Sequence, residues 1–385
     1  MQAFPIDKFE GLRTPFYFYD TTLLDETLAA IRSCMRPRWH VHYAVKACAT
    51  SQVLRRIRQG GLGCDCVSGG EIQAALDAGF PAGEIVYAGV GKSDWEIQLG
   101  LDADIFCFNV ESIPELEVIN GLALQSGKVA RVALRINPNV GAHTHANITT
   151  GLAENKFGID MQDMHAVIAR CAEMQGVELI GLHFHIGSQI LAMDDFEALC
   201  RRINELQDGL DERGIRVEHI NVGGGLGIDY RRPDEHPVPD FKAFFDTYER
   251  HLHLRPGQHL HFELGRAVVG QCGTLVTRVL YIKSNAMKQF CIVDAGMSDL
   301  IRPALYGASH LIQNLSAPHA PEEVYDVVGP ICESSDVFAE GVSLPRARRG
   351  QLIGLRSAGA YGEIMACGYN CRPLPKGYTR EELEC

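Results

Sequence analysis

The run VARVALRIN, residues 129–137, is rich in β-branched and aliphatic side chains and ends in Asn137-Pro138, a good exit for a buried strand. Working outward from it, short β-rich runs also begin near Val41, Leu62, Ile85, Ile105, Leu179, Glu218 and His259. Helical patterns with readable starts and stops lie between most of them. Ser68-Gly69-Gly70-Glu71 has the S-x-x-E spacing of a capping box, and Gly79 closes that helix. Ser112-Ile113-Pro114-Glu115 repeats the signal, with Pro114 in the first turn, where proline is tolerated. Leu199, Ile203, Leu206 and Leu210 share one face of a helix that Gly214 ends. Eight strand-like runs alternating with helices are what a (β/α)8 barrel of the TIM type requires. An open doubly wound sheet fits less well, because it needs a phosphate motif after its first strand.

After Arg266 the pattern changes. The runs LVTRVLYIKS (275–284), QFCIVDA (289–295), YDVVGPI (325–331) and GQLIGLRSAG (350–359) follow one another with few helical stretches between. The expected architecture is α/β: a barrel over 25–266, and a mainly-β domain made of 1–24 and 267–385. PFYFYD (15–20) adds an N-terminal strand to the second domain.

The chain has 385 residues, 46% of them apolar and 22% charged, an ordinary balance for a folded protein with a sizeable core. Lys and Arg number 36 against 48 Asp and Glu, a formal net charge of −12. That argues against a nucleic-acid partner, which needs a basic surface. An anionic ligand must instead meet a few arginines placed inside a cleft. No apolar run approaches the roughly 18 residues of a membrane helix, and MQAFPIDKFE (1–10) lacks a signal-like apolar stretch. No membrane partner and no secretory leader are expected. The 13 cysteines are odd in number and scattered through apolar segments, which reads as a reduced, cytoplasmic protein. Cys64/Cys66 and Cys367/Cys371 lack the paired C-x2-C spacing of a zinc site, so no metal is expected.

Several segments carry residues capable of chemistry. Lys46 in Val45-Lys46-Ala47 falls at the C-terminal end of the first barrel strand, where barrel active sites gather. A lysine among apolar neighbours is either paired or lowered in pKa for Schiff-base work; the plain alternative is a lysine leaving the strand into solvent. VGGGLG (222–227) fails G-x-G-x-x-G, because Ile228 stands at the last glycine. It reads as a phosphate-binding turn, with a following helix N-terminus adding its dipole, or simply as a tight turn. VYAGVGKS (86–93) has Val86 where a P-loop needs its first glycine, so ATP binding is discounted. His183 and His185 stand two apart on a strand: metal ligands, a histidine stacked on an aromatic cofactor, or core histidines. His143 and His145 pose the same choice in a loop. Glu263 and Arg266 end the eighth strand, aimed at the barrel mouth. There the carboxylate can hold a pyridine nitrogen protonated and the arginine can take an anion, or the two pair with each other. Arg302, Cys332, Glu333 and Tyr361 sit among Gly, Ala and Pro turns of the β domain, loops of the kind that carry function.

The ordered set HYAVKA (42–47), CVSGGE (66–71), HFHIGSQI (183–190), NVGGGLGI (221–228), DLIRPALY (299–306) and GPICESSDVF (329–338) resembles the diaminopimelate decarboxylases. These are pyridoxal 5'-phosphate enzymes of the alanine-racemase-like fold group, and the resemblance runs from TPFYFYD to GYNCRPLP. It implies Lys46 as the Schiff-base lysine and His185 stacked on the cofactor ring. It further implies Ser188 and the turn Gly223, Gly224, Gly225 around the phosphate, with Tyr361 touching it, and Glu263 on the pyridine nitrogen. Asp65, Gly265 and Arg266 complete the cofactor set. Arg266, Arg302, Tyr306 and Tyr361 would bind the substrate, and Glu333 its distal ammonium. Cys332 would be the proton donor, reaching the site of the other subunit of a homodimer. The implied activity is decarboxylation of meso-2,6-diaminopimelate to L-lysine and CO2, with the β domain contributing to the active site. Two arginines and a glutamate match a substrate with two carboxylates and two ammoniums; an ornithine-like molecule would leave an arginine unpaired. Enzymes of this fold acting on ornithine, arginine or carboxynorspermidine are the nearest rivals. A silent regulatory barrel is a more distant one, disfavoured because Lys46 and Cys332 are both present. Two departures stand out: Leu264 replaces the proline of the family's Glu-Pro-Gly-Arg segment, and Cys367-Gly368-Tyr369-Asn370 replaces Ser-Asn-Tyr-Asn with its aromatic kept.

Overall fold

A computed structural model describes residues 4–141 and 156–384; His143 and His145 lie outside the described residues. The chain divides into two units. One comprises Leu28–Gly227 and Asp240–Gly265, and the other Met1–Thr27, Ile228–Pro239 and Arg266–Cys385.

Strand β1 (Phe16–Tyr19) belongs to the second unit. The first holds β2 (Trp39–Ala44), β3 (Gly63–Cys66), β4 (Ile85–Tyr87), β5 (Cys107–Val110), β6 (Ala130–Asn137), β7 (Ile159–Asp160), β8 (Val177–His183), β9 (His219–Asn221) and β10 (His259–Leu264). Apart from β7, which pairs at the edge of β6, these strands close a ring: β2, β3, β4, β5, β6, β8, β9, β10 and back to β2. Every pairing in the ring is parallel. The strand starts fall within two residues of those expected, and the (β/α)8 reading holds. Strands covered on both faces read as continuous apolar runs, and β3, β4 and β5 are buried along their whole length.

The helix signals are local and physical. Ser68 Oγ accepts from the Glu71 amide at 3.2 Å, but the Glu71 carboxylate reaches past Ser68 to the Val67 amide at 2.8 Å. Ser112 behaves the same way, with Glu115 reaching the Glu111 amide. The expected boxes are therefore offset by one residue, both still satisfying an otherwise orphaned amide. In the failed P-loop segment, Lys92 Nζ turns into the protein, 2.6 Å from Glu115 Oε1 and bonded to the carbonyls of Gly89 and Asn109.

The ring has an unusual floor. His40 and His42 of β2, His219 of β9, and His259 and His261 of β10 meet at the N-terminal ends of three adjacent strands. Nitrogen pairs His40–His259, His42–His261 and His261–His219 each lie 2.9 Å apart. Phe106 stacks on His261 at 5.3 Å. Burial drives His42 and His219 down to about 4, and burial with the neighbouring rings lowers His261 further. His42, His219 and His261 are thus neutral imidazoles, with His261 bonded to both of the others. Among the described residues no group of three or more His, Cys, Asp or Glu is placed to hold a metal ion.

The second unit continues with β11 (Gly273–Ser284), β12 (Gln289–Val293), β13 (Ile312–Asn314), β14 (Glu322–Val328), β15 (Val337–Pro345), β16 (Leu352–Leu355) and β17 (Lys376–Thr379). They form a sheet in the order β13-β16-β11-β12-β14-β15, with β1 antiparallel to β11 and parallel to β17. The core on one side gathers Phe9, Phe16, Phe18, Val276, Leu352 and Leu383. Ile228–Pro239 packs with this sheet. Gln271 Nε2 donates to the carbonyls of Asp229 and His236, and Asp234 pairs with buried Arg356 at 3.0 Å. No helix among the described residues is long and apolar enough to cross a membrane.

Candidate active site

In the barrel unit, site residues gather where β2, β3, β5, β8, β9 and β10 end. Lys46 lies in a single helical turn, Val45–Ala47, immediately after β2; its neighbours Val45 and Ala47 are buried and Lys46 itself is half-buried. Asp65, 1% exposed on β3, has an Oδ1 with no hydrogen-bond partner. Burial and the nearby charge of Glu263 push its carboxyl well up, against the opposing pull of Lys46.

Glu263 goes the other way. Its Oε1 accepts from Asn221 Nδ2 at 2.7 Å and Asn109 Nδ2 at 3.0 Å, and its Oε2 lies 3.0 Å from His183 Nε2. Burial opposes ionisation, but the His183 contact, with Lys46 beyond it, holds the carboxyl well below the usual range. Two buried carboxyls are thus pushed apart, the pattern by which a site sorts its acid from its base.

The two histidines separate. β8 ends at His183, which faces Glu263, whereas His185 lies beyond the strand and accepts from the Gly224 amide on Nδ1 at 3.2 Å. Burial, then the charges of Arg135 and Lys46, lower His185 well below its ordinary value. The ring is neutral, and with Nδ1 accepting, its proton sits on Nε2.

In the glycine turn the Gly223 amide donates to Asn221 Oδ1 at 2.9 Å and the Gly224 amide to His185. Gly225 is the half-exposed member. A Cβ on Gly224 would stand 1.8 Å from the Glu263 carbonyl oxygen, so only glycine fits there. The helix expected directly after this turn is absent: Ile228–Pro239 is irregular, and the next helix, Phe241–His251, starts beyond it with Asp240 as its cap. The turn therefore gains no dipole from a helix. Leu264 simply ends β10, buried and paired with Tyr43, and Gly265 follows against Ala44 and Ala47.

Glu111 and Arg135 carry no motif, yet they support this end of the barrel. They pair at 2.8 Å while Glu111 also takes the amides of Gly89 and Gly158.

In the sheet unit, Arg266 and Arg302 converge on one residue that no motif had singled out: NH1 of each donates to the Tyr230 hydroxyl, at 2.5 and 2.6 Å. The Tyr361 ring lies 4.9 Å from the Arg266 guanidinium, and Tyr361 holds a left-handed backbone (φ 58°). Tyr306 ends the short helix Arg302–Tyr306, half-buried. Cys332 and Glu333 are exposed and keep different company: the Cys332 amide donates to Asn370 Oδ1 at 3.3 Å, and the Tyr369 hydroxyl to Glu333 Oε1 at 2.5 Å.

The family model for the pyridoxal binding domain of the pyridoxal-dependent decarboxylases matches residues 22–270. Diaminopimelate decarboxylase of Bacteroides thetaiotaomicron is 67% identical over 382 residues, 99% of each chain. The chain belongs to the diaminopimelate decarboxylases. Another relative of that name, from Pseudomonas aeruginosa, is 42% identical over 94% of this chain and 86% of its own. The crystal structure of diaminopimelate decarboxylase from Helicobacter pylori complexed with L-lysine matches with a TM-score of 0.91 at 36% identity, covering 97% of this chain and 93% of that one.

Members of a pyridoxal-dependent family hold pyridoxal 5'-phosphate, and the barrel residues fit it. A buried anion at Glu263 suits a protonated pyridine nitrogen, the unpartnered Asp65 Oδ1 suits a donor from outside the chain, and Lys46 supplies the amine.

Proposed function

We propose that this protein decarboxylates meso-2,6-diaminopimelate to L-lysine and CO2, the last step of lysine biosynthesis, using pyridoxal 5'-phosphate. The observation that carries the reading is the buried Glu263 carboxylate, satisfied by Asn109, Asn221 and His183. It sits in a chain 67% identical from end to end to a diaminopimelate decarboxylase.

When bound, the cofactor accepts the electron pair left behind as CO2 departs. Lys46 would hold it through its amine, with His185 against its ring. Ser188, the Gly223–Gly225 turn, Gly265 and Tyr361 would hold its phosphate. Glu263 would keep a proton on the ring nitrogen, and Asp65 would complete the residues that hold the cofactor. Arg266, Arg302 and Tyr306 bind substrate carboxylate, and Glu333 the distal ammonium. Cys332 donates a proton to the α-carbon. The protein works as a cytoplasmic homodimer in which each Cys332 serves the site of the other subunit.

Growth of a bacterium lacking its own diaminopimelate decarboxylase tests the reading. The gene for this chain restores growth without lysine, and its Lys46→Ala variant does not. Failure of the intact gene, with the protein present and folded, contradicts it.

A further inference from the structure

Arg302 is 5% exposed, and among the described residues its guanidinium forms no ion pair. Its only side-chain hydrogen bond there goes to the Tyr230 hydroxyl, and its Nε has no partner. Arg266, 6% exposed, shares that hydroxyl. The Tyr230 ring lies 4.9 Å from the Arg302 guanidinium and 5.9 Å from that of Arg266. His310 meets the same ring edge-on at 5.2 Å and is anchored by its Nδ1, 2.8 Å from the Arg356 carbonyl; its buried Nε2 has no partner.

A phenol oxygen has two lone pairs and one proton. Both lone pairs face a guanidinium here, so the proton can only be donated elsewhere. A buried guanidinium such as that of Arg302, with no ion pair among the described residues and leaning on a neutral oxygen, is a costly arrangement unless an anion completes it. The Tyr230 proton and the Arg302 Nε are donors left over for that anion.

We propose that Tyr230 is a specificity-determining residue, holding Arg266 and Arg302 together and donating its own proton to the carboxylate that the substrate keeps at its non-reacting end. This rests on the diaminopimelate reading above. L-Lysine retains that carboxylate, whereas 1,5-diaminopentane has the same chain and amines without it. The two ligands therefore isolate the contact.

The test is calorimetric titration of the pyridoxal-phosphate-loaded protein with each ligand, in wild type, Tyr230→Phe and Tyr230→Gln. Losing a hydrogen bond to a charged group weakens L-lysine about 10- to 100-fold in Tyr230→Phe. Affinity for 1,5-diaminopentane stays unchanged. KM for diaminopimelate rises with that loss while kcat is largely kept. Tyr230→Gln, whose amide both accepts and donates, recovers part of the lysine affinity; it also serves as the reading if the phenylalanine variant does not fold. Parallel changes for both ligands, or no change for either, overturn the proposal. Wild-type turnover is measured alongside. If diaminopimelate is not decarboxylated the parent reading fails, whereas turnover with unaltered L-lysine affinity in the variants removes Tyr230 alone.

Discussion

Glu263 is buried and still ionised because Asn109, Asn221 and His183 satisfy its two oxygens. Its folded pKa is depressed, so its charge survives acidification through the ordinary carboxylate range, and turnover between pH 7 and 5 owes no loss to it. In Glu263→Gln the cofactor should still bind while kcat falls on the order of 10²–10³, the usual cost of removing one preorganised electrostatic partner. Cofactor absorbance and steady-state rate together check this; an unchanged kcat removes Glu263 from the mechanism. Cys332→Ala should likewise keep the cofactor and lose turnover by a factor on the order of 10²–10⁴, as expected for a missing general acid. At this scale the sequence was only partly readable. Glu263, Lys46 and the glycines stand in motifs, but Asn109 and Asn221 are single amides inside strands, and Tyr230 sits in an irregular segment 36 residues from Arg266 and 72 from Arg302. Their meaning comes from partners distant in the chain, which spacing does not reveal.

The strands and helices were far more legible, because their signals are local. Short β-rich runs mark where each barrel strand starts, and Ser68 and Ser112 mark two helix starts. The offset capping contacts and the missing helix after Gly225 depend on how segments pack, and so escaped a one-dimensional reading. The glycine turn shows the difference. Its three glycines suggest an anion cradle, yet Gly224 is required first by the Glu263 carbonyl, 1.8 Å from where a Cβ would stand. Both sides of that contact are backbone, with little room to retreat. Gly224→Ala should therefore cost about 3 kcal/mol or more, lowering Tm by roughly 6–12 °C. A thermal melt of the variant within a degree or two of wild type would show that the turn can move aside.

For the molecule as a whole, the histidine floor of the barrel sets its response to acid. Period-2 histidines are plain in WHVHYA (39–44) and HLHFEL (259–264), but only ring closure brings those two strands side by side with β9. In the folded state burial depresses His40, His42, His219 and His261 below 6.5, with His42 and His219 at about 4. The unfolded chain thus binds more protons than the folded one once pH drops below about 6.5. Stability is full above that value and is lost as pH falls toward 4. Melting at pH 7 and pH 5 should show the fall, and the double variant His42→Leu/His261→Val should flatten it, since aliphatic side chains usually fill this part of such barrels. An equal fall in the double variant would place the acid sensitivity elsewhere. The most direct test of the decarboxylase reading is chemical. Purified protein supplied with pyridoxal 5'-phosphate is given meso-diaminopimelate, ornithine or arginine, and CO2 and amine product are counted. One CO2 and one L-lysine are expected for each diaminopimelate consumed, with ornithine and arginine untouched. Turnover of ornithine or arginine in preference, or no CO2 from any of the three, would contradict it.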